Sequence, residues 1–358
     1  MPTLDLHGAE RSLAPVLELE DAIGVLSMYV DADPALGGAP RPAWQAPVRA
    51  ALRTLASEAR EEWPRAERAA LEERLGELEG ELESLLDPRG TSRGRALFAG
   101  IDGGELRRVE LRTPLPTLVA LDRTARVLPL AAALRAGEAA GVVTVSRQQL
   151  DLLEWEQGAL RSLETVELEP GTEPGRGRPA TNPAVPQSFP ERDRFAGGVE
   201  ARVAARLREA GARLRQLAAG RGWDAIVVDG DPRLVVELGF ATGEGELELV
   251  PSDRPLAGVP AGEAAARAGA VLERVRAERV ERLLGLLRTP AATTDRTTVV
   301  RALDEGRVAH LLLGLAGGGA ASRETLLRRA LATAAEVTVL DPAPVQLGDD
   351  GVAALLRW

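Results

Sequence analysis

Apolar positions along the chain follow two alternating rhythms. In VLSMYVDADP (25–34) apolar and small residues alternate, then Asp31, Asp33 and Pro34 close the run with turn chemistry, which predicts a strand. From 48 to 63 the pattern turns helical, and Pro64 suits the first turn of a second helix. There Leu71, Leu75, Leu78, Leu82 and Leu85 recur at spacings of four and three, the seam pattern of a helix pair. The expectation is a helical hairpin arm over 48–86, ended by DPRG at 87–90. RALFAGIDGGELRRVEL (95–111) reads as a β-hairpin about Asp102-Gly103-Gly104, and TLVALD (117–122) as a further strand.

Similar alternation follows downstream. GVVTVSRQQLDLLEWEQGALRSLETVELEP (141–170) has strand patterning interrupted at Gln157-Gly158, which predicts a β-meander. VEARVAARLREAGARLRQLA (199–218) puts Val199, Val203, Leu207, Leu214 and Leu217 on one helical face, with Arg202, Arg206 and Arg213 in a stripe beside it. WDAIVVDGD (223–231) reads as a buried strand and PRLVVEL (232–238) as a short helix. LVPSDRPLAGVP (249–260) reads as a linker, and a helix over about 262–288 turns Leu272, Val275, Val280, Leu283 and Leu287 inward. A helix at 298–305 capped by Gly306, a strand at 308–315, a helix near 322–335, a strand at 336–341 and a terminal strand in GVAALLRW complete the chain. Strands alternate with helices throughout, so the fold class is α/β. Three α/β domains are expected, at 1–136, 137–255 and 256–358.

One passage, 171–198, has neither rhythm and holds five prolines, five glycines and four arginines. Loops beyond roughly 12–15 residues are usually functional or disordered, which makes this passage a candidate site. Composition narrows what it binds. With 45% hydrophobic and only 3% aromatic residues, the core is built from Leu, Val and Ala. The absence of cysteine excludes disulfides, thiol nucleophiles and thiolate metal sites. MPTLDLHGAERS lacks a basic segment followed by an apolar one, and no apolar run approaches the ~20 residues of a membrane span, so a cytoplasmic protein without membrane partners is expected. A net charge of −10 argues against a broadly basic surface. Every basic side chain is Arg, whose planar fork matches phosphate. Arg176, Arg178, Arg192 and Arg194 in the loop, next to Arg202, Arg206 and Arg213 on the helix, form a candidate RNA-backbone clamp, with a solvated face as the plainer alternative.

Candidates for catalysis are few. Asp229 and Asp231 end a buried strand as Mg2+-holding carboxylates do, although Asp231 followed by Pro232 also reads as a helix cap. Asp31 and Asp33 admit the same two readings. GLAGGGAASRE (314–324) lies between strand and helix without Walker or GxGxxG spacing, and reads as a connector capped by Ser322. The only histidines are His7 and His310, and His310 sits inside an apolar strand, so neither a histidine metal site nor a triad is expected. No cofactor is expected.

Taken in order, these segments resemble the archaeal/eukaryotic class I peptide-chain release factor family in its divergent bacterial branch. VLSMYVDADP with the helical arm resembles the bacterial version of the first domain. The meander, the loop, RFAGGVEARVAARL and WDAIVVDGDPRLVVEL match the plan of the second. RALDEGRVAHLLLGL and GDDGVAALLRW resemble stretches of the third, which the resemblance gives the fold of kink-turn-binding ribosomal proteins. In the family the long loop carries a Gly-Gly-Gln tripeptide that admits water to the peptidyl-tRNA ester. Here the loop holds GRGR (175–178) and VPQ (185–187), so Gln187 is the one glutamine available and no glycine precedes it. The resemblance thus implies a ribosome-associated factor that binds the A site in hibernation or rescue without hydrolysis. Its partners would be the 70S ribosome, through rRNA or tRNA, and a translational GTPase such as elongation factor Tu. The alternative is a peptidyl-tRNA hydrolase or release factor that works through Gln187. A third reading makes the Leu71–Leu85 helix the docking face of a stress-linked scaffold.

Overall fold

A computed structural model describes residues 13–33, 42–168, 189–243, 247–315 and 319–357, with the side chains at 189–199 and 320–321 excluded. The chain divides into two compact units, Ala139–Ala277 in one and Thr3–Glu138 with Glu278–Trp358 in the other.

The second of these units has two sheets. The first sheet is ordered β3-β2-β1-β4, with β1 (Glu20–Asp31), β2 (Gly94–Gly100), β3 (Leu106–Leu111) and β4 (Leu118–Thr124), each pair antiparallel. Period-two alternation gives it two apolar faces. Leu26, Met28, Val30, Leu97 and Ala99 form one face. Against them pack three helices, α1 (Gln45–Glu62), α2 (Arg65–Glu77) and α3 (Glu79–Leu85). Leu71, Leu78 and Leu85 of the seam are buried there, and Leu75 and Leu82 pack half-buried beside them. The helical hairpin therefore lies on its own sheet, and the seam considered above as a docking face is used internally.

At the turn of the β2–β3 hairpin, Asp21 accepts the N–H groups of Asp102 (2.9 Å) and Gly103 (2.8 Å) as well as those of Ile23 and Gly24 (both 2.9 Å). Burial raises the Asp21 carboxyl, but these four donors outweigh it and hold the group below the usual aspartate value.

The opposite face presents Val25, Tyr29, Ala96 and Phe98 to a core shared with the C-terminal segment. Tyr29 and Phe98 meet edge to face at 5.4 Å. The C-terminal sheet is ordered β10-β13-β11-β12, with β10 (Ala292–Thr293), β11 (Val308–Gly314), β12 (Glu336–Leu340) and β13 (Val352–Leu356). β11 and β12 are parallel, and the last strand inserts antiparallel beside β11. Leu311, Leu313, Val337 and Val352 join Val25 and Phe98 in one cluster, together with residues of α4 (Leu128–Ala136), α8 (Arg296–Asp304) and α9 (Ala320–Ala332). The buried Glu324 of α9 accepts the N–H groups of Val127 (2.6 Å) and Leu128 (3.1 Å) at the start of α4. Four residues on, Arg328 donates to the carbonyls of Leu17 (2.6 Å) and Ala125 (2.8 Å).

The Ala139–Ala277 unit holds the sheet β7-β6-β5-β8-β9, with β5 (Ala140–Val145), β6 (Gln149–Glu156), β7 (Ala159–Glu167), β8 (Ala225–Gly230) and β9 (Glu248–Pro251). β5 to β7 form the expected meander, and β5, β8 and β9 are parallel. At its tight turn Gln157 and Gly158 both take positive φ (48° and 77°), as a two-residue hairpin requires. One sheet face carries α5 (Phe189–Arg221) and α6 (Pro232–Thr242), and the other carries the part of α7 (Ala261–Leu286) up to Val275. Some boundaries differ from expectation. The stretch 249–260 is not all linker, because 248–251 pairs with β8 as a parallel edge strand. α5 begins at Phe189, ten residues before the expected start, with Pro190 in the first turn where its missing N–H costs nothing.

Replacing Glu324 by Ala orphans two buried N–H donors and is expected to cost about 2–4 kcal/mol in urea unfolding of the full chain. Asp21→Asn tests linkage. Because its folded value is lowered, Asp21 stabilises above its ordinary value near 3.8, and that contribution is lost as pH falls through the lowered value. Stability of wild type measured from pH 6 down to pH 2 should therefore fall more steeply than that of the variant.

Candidate nucleic-acid interface

α5 is amphipathic. Val203, Leu207, Ala210, Leu214 and Ala218 are buried against the sheet, and Arg202, Arg206 and Arg213 emerge exposed along one flank. Arg206 pairs with Glu209 at 2.9 Å, and Arg213 with Glu164 of β7 at 3.0 Å. Arg202 makes no ion pair among the described residues. Exposed pairs of this kind contribute about 0–1 kcal/mol, so both guanidinium groups can exchange a carboxylate for a phosphate at little cost. The helix holds eight arginines against four acidic residues, in a chain whose net charge is −10. That excess of arginine is the largest carried by any described helix. Arg192 and Arg194 fall on the first turns of α5 and not on a loop, and Gly197-Gly198 lies within the helix. Arg176, Arg178 and Gln187 lie outside the described residues.

The other flank of α5 does not stand out in the sequence. Arg208, Gly211 and Arg215 share it, at spacings of three and four, and Gly211 lets α6 approach closely. A Cβ at Gly211 would stand 2.7 Å from the Ala241 carbonyl carbon. Arg215 donates to the carbonyls of both Ala241 and Thr242 at 2.7 Å, closing the end of α6. At the other end Asp231 caps α6 by accepting the Arg233 N–H at 2.9 Å. α6 runs to Thr242, four residues beyond the expected end.

On β6, the middle strand of the meander, the buried Glu154 accepts from Arg161, Arg221 (2.8 Å) and the Trp223 indole (3.4 Å). Burial raises its carboxyl, yet the two arginines prevail and hold it below the usual glutamate value.

The residues weighed for catalysis have structural occupations. Asp229 accepts the N–H groups of Leu256 (2.6 Å) and Ala257 (3.3 Å). Asp31 holds Arg93 bidentately at 2.8 and 3.2 Å, with Asp33 at 4.0 Å from the same guanidinium. His310, 5% exposed, lies between Glu336 (3.0 Å) and Thr338 (2.8 Å) on the neighbouring strand. Ser322 does not cap α9, since the left-handed Gly319 stands at the cap with no side-chain bond and the Ser322 N–H donates to its carbonyl. His7 lies outside the described residues. Among the described residues no helix is long and apolar enough to cross a membrane.

Gly211→Ala should separate α5 from α6 and lower stability by about 1–3 kcal/mol in thermal unfolding, despite the higher helix propensity of alanine.

Known proteins share parts of this sequence and fold. Residues 126–282 match the model of a family described as bacterial archaeo-eukaryotic release factor family 10. No curated protein matches the chain. Among solved structures the chain is similar to an archaeal translation termination factor, aRF1, at 19% identity and a TM-score of 0.26, covering 98% of each chain. It is also similar to archaeal Pelota from a ribosome-bound model with ABCE1, at 16% identity and a TM-score of 0.41, over 74% of this chain and 77% of that one. A third is S. cerevisiae Dom34, described as a translation termination-like factor interacting with Hbs1, at 11% identity and a TM-score of 0.38, over 74% and 79%. The segment that matches the family model is the one that carries the meander, the arginine-bearing helix and the strand after it.

Proposed function

We propose that this protein is a release-factor-like translation factor that binds the bacterial 70S ribosome at the A site, in hibernation or rescue, without cleaving the peptidyl-tRNA ester. The observation that carries the reading is the family match over residues 126–282, which contains the arginine-rich α5. Arg202, Arg206 and Arg213 would contact rRNA phosphates, together with Arg192 and Arg194 at the start of the helix and Arg176 and Arg178 before it. Gly-Gly-Gln is absent from the sequence, and Gln187 follows a proline where the tripeptide has glycine. A glycine there lets the backbone approach the ester, and proline offers no N–H to it. The binding-only reading is therefore preferred to the hydrolase. A translational GTPase such as elongation factor Tu would dock on the C-terminal α/β segment.

Sedimentation through sucrose gradients tests the main claim. The wild-type protein should migrate with vacant 70S ribosomes at low salt, and protein left at the top of the gradient ends the proposal. Arg202→Glu, Arg206→Glu and Arg213→Glu combined should weaken binding and reduce the slope of log affinity against log salt by about one for each phosphate left without its arginine. Hydrolysis is read separately, on ribosomes carrying labelled peptidyl-tRNA. No peptide release by wild type above buffer is expected, and release abolished by Gln187→Ala would establish the hydrolase instead.

A further inference from the structure

Arg233, Val236 and Phe240 lie on one face of α6, at spacings of three and four. All three are exposed, Val236 at 57% and Phe240 at 82%. The chain has four phenylalanines in all, and Phe98 is fully buried in the shared core, whereas Phe240 stands almost wholly in water. The ring is carried on a fixed support. Arg215 bonds the carbonyls of the two residues that follow Phe240, Thr242 bonds back to Leu238 and Gly239, and Gly211 holds α5 against Ala241. The charges around the ring are mainly basic, with Glu237 exposed on the same face one turn before Phe240. Arg233 shares its face without an ion pair among the described residues, while Arg208 and Arg215 occupy the flank of α5 against which α6 packs.

We infer that Phe240 is a stacking platform for an unpaired RNA base, with Val236 extending the apolar surface and Arg233, Arg208 and Arg215 supplying positive charge for the adjoining backbone. Single-stranded RNA is the occupant the chemistry favours. Every base offers a π-face to an aromatic ring, and arginine serves both phosphate and base plane. A protein partner of comparable affinity would call for a broader apolar patch than two side chains rimmed by arginine. This surface lies on the opposite flank of α5 from Arg202, Arg206 and Arg213, so it adds a second, base-directed contact to the phosphate-directed one. The inference rests on the RNA-binding reading above and specifies the form of RNA.

The test uses the full chain and fluorescence anisotropy with a labelled single-stranded 12-mer RNA, against a duplex of equal length. Phe240→Ala should weaken single-strand binding about tenfold, the size of one stacked base, and leave duplex binding unchanged. Phe240→Trp should restore it and Phe240→Leu should not, since leucine keeps the apolar area without the ring. Equal single-strand affinity for the Ala variant and wild type overturns the inference, as does full recovery with Leu, which would mark an apolar protein-docking face. If those variants bind like wild type while the triple Arg→Glu variant loses affinity, the phosphate contact stands and only the platform falls. No binding of either RNA by wild type removes both.

Discussion

A buried carboxylate holds the two ends of this chain together. Glu324 faces the free N–H groups that open α4, where partial positive charge gathers, and so carries a contact from the C-terminal segment into the N-terminal one. Burial raises the carboxyl above the usual glutamate range, so in isolation the position is a costly one. Arg328, one turn further on, binds two carbonyls of the same neighbourhood. From the other side Tyr29 donates its hydroxyl to the Arg126 carbonyl, and the Arg126 N–H donates to Ser27 at 3.0 Å. Residues 125–128 are thus clamped between β1 and α9. The apolar cluster formed by Val25, Phe98, Leu313 and Leu327 closes around that clamp.

Much of this architecture was legible as pattern. The alternation in 25–34 pointed to a strand, and the meander, α9 and the parallel strand after it fall where periodicity puts them. What periodicity cannot carry is the partner of a face. The leucine seam at 71–85 has the spacing of a free-standing helix pair, and only the second face of β1 reveals what it packs on. Glu324 and Arg328 read as ordinary charges of an amphipathic helix, because their partners are backbone groups some two to three hundred residues away. Strand β9 was hidden by the prolines and turn residues around four strand positions.

The candidate interface was legible in part. The stripe Arg202, Arg206, Arg213 needs only helical geometry, and it is exposed as that geometry requires. Its ion pair with Glu164 was not readable, since Glu164 lies on a strand of the meander, whereas Arg206 and Glu209 are i,i+3 neighbours on one helix. Nor was Phe240. An apolar residue at the end of a short apolar helix reads as core, and its exposure follows from where α6 crosses α5 at Gly211. The acidic remainder of the chain gives such local arginine clusters their contrast, because a cationic stripe stands out against a net charge of −10.

The shared core also sets an order of events during synthesis. Arg328 bonds a carbonyl 311 positions earlier, and the Val25–Tyr29 face of β1 gains its C-terminal complement only when β11 to β13 have been made. The inserted Ala139–Ala277 segment contains all five strands of its own sheet and needs nothing from either terminus to complete its ladder. Closing so long a loop carries an entropic cost that only the finished C-terminal strands repay. The face of β1 turned to α1–α3 can pack early, while its Val25–Tyr29 face stays an unfinished apolar surface until the C-terminal strands arrive.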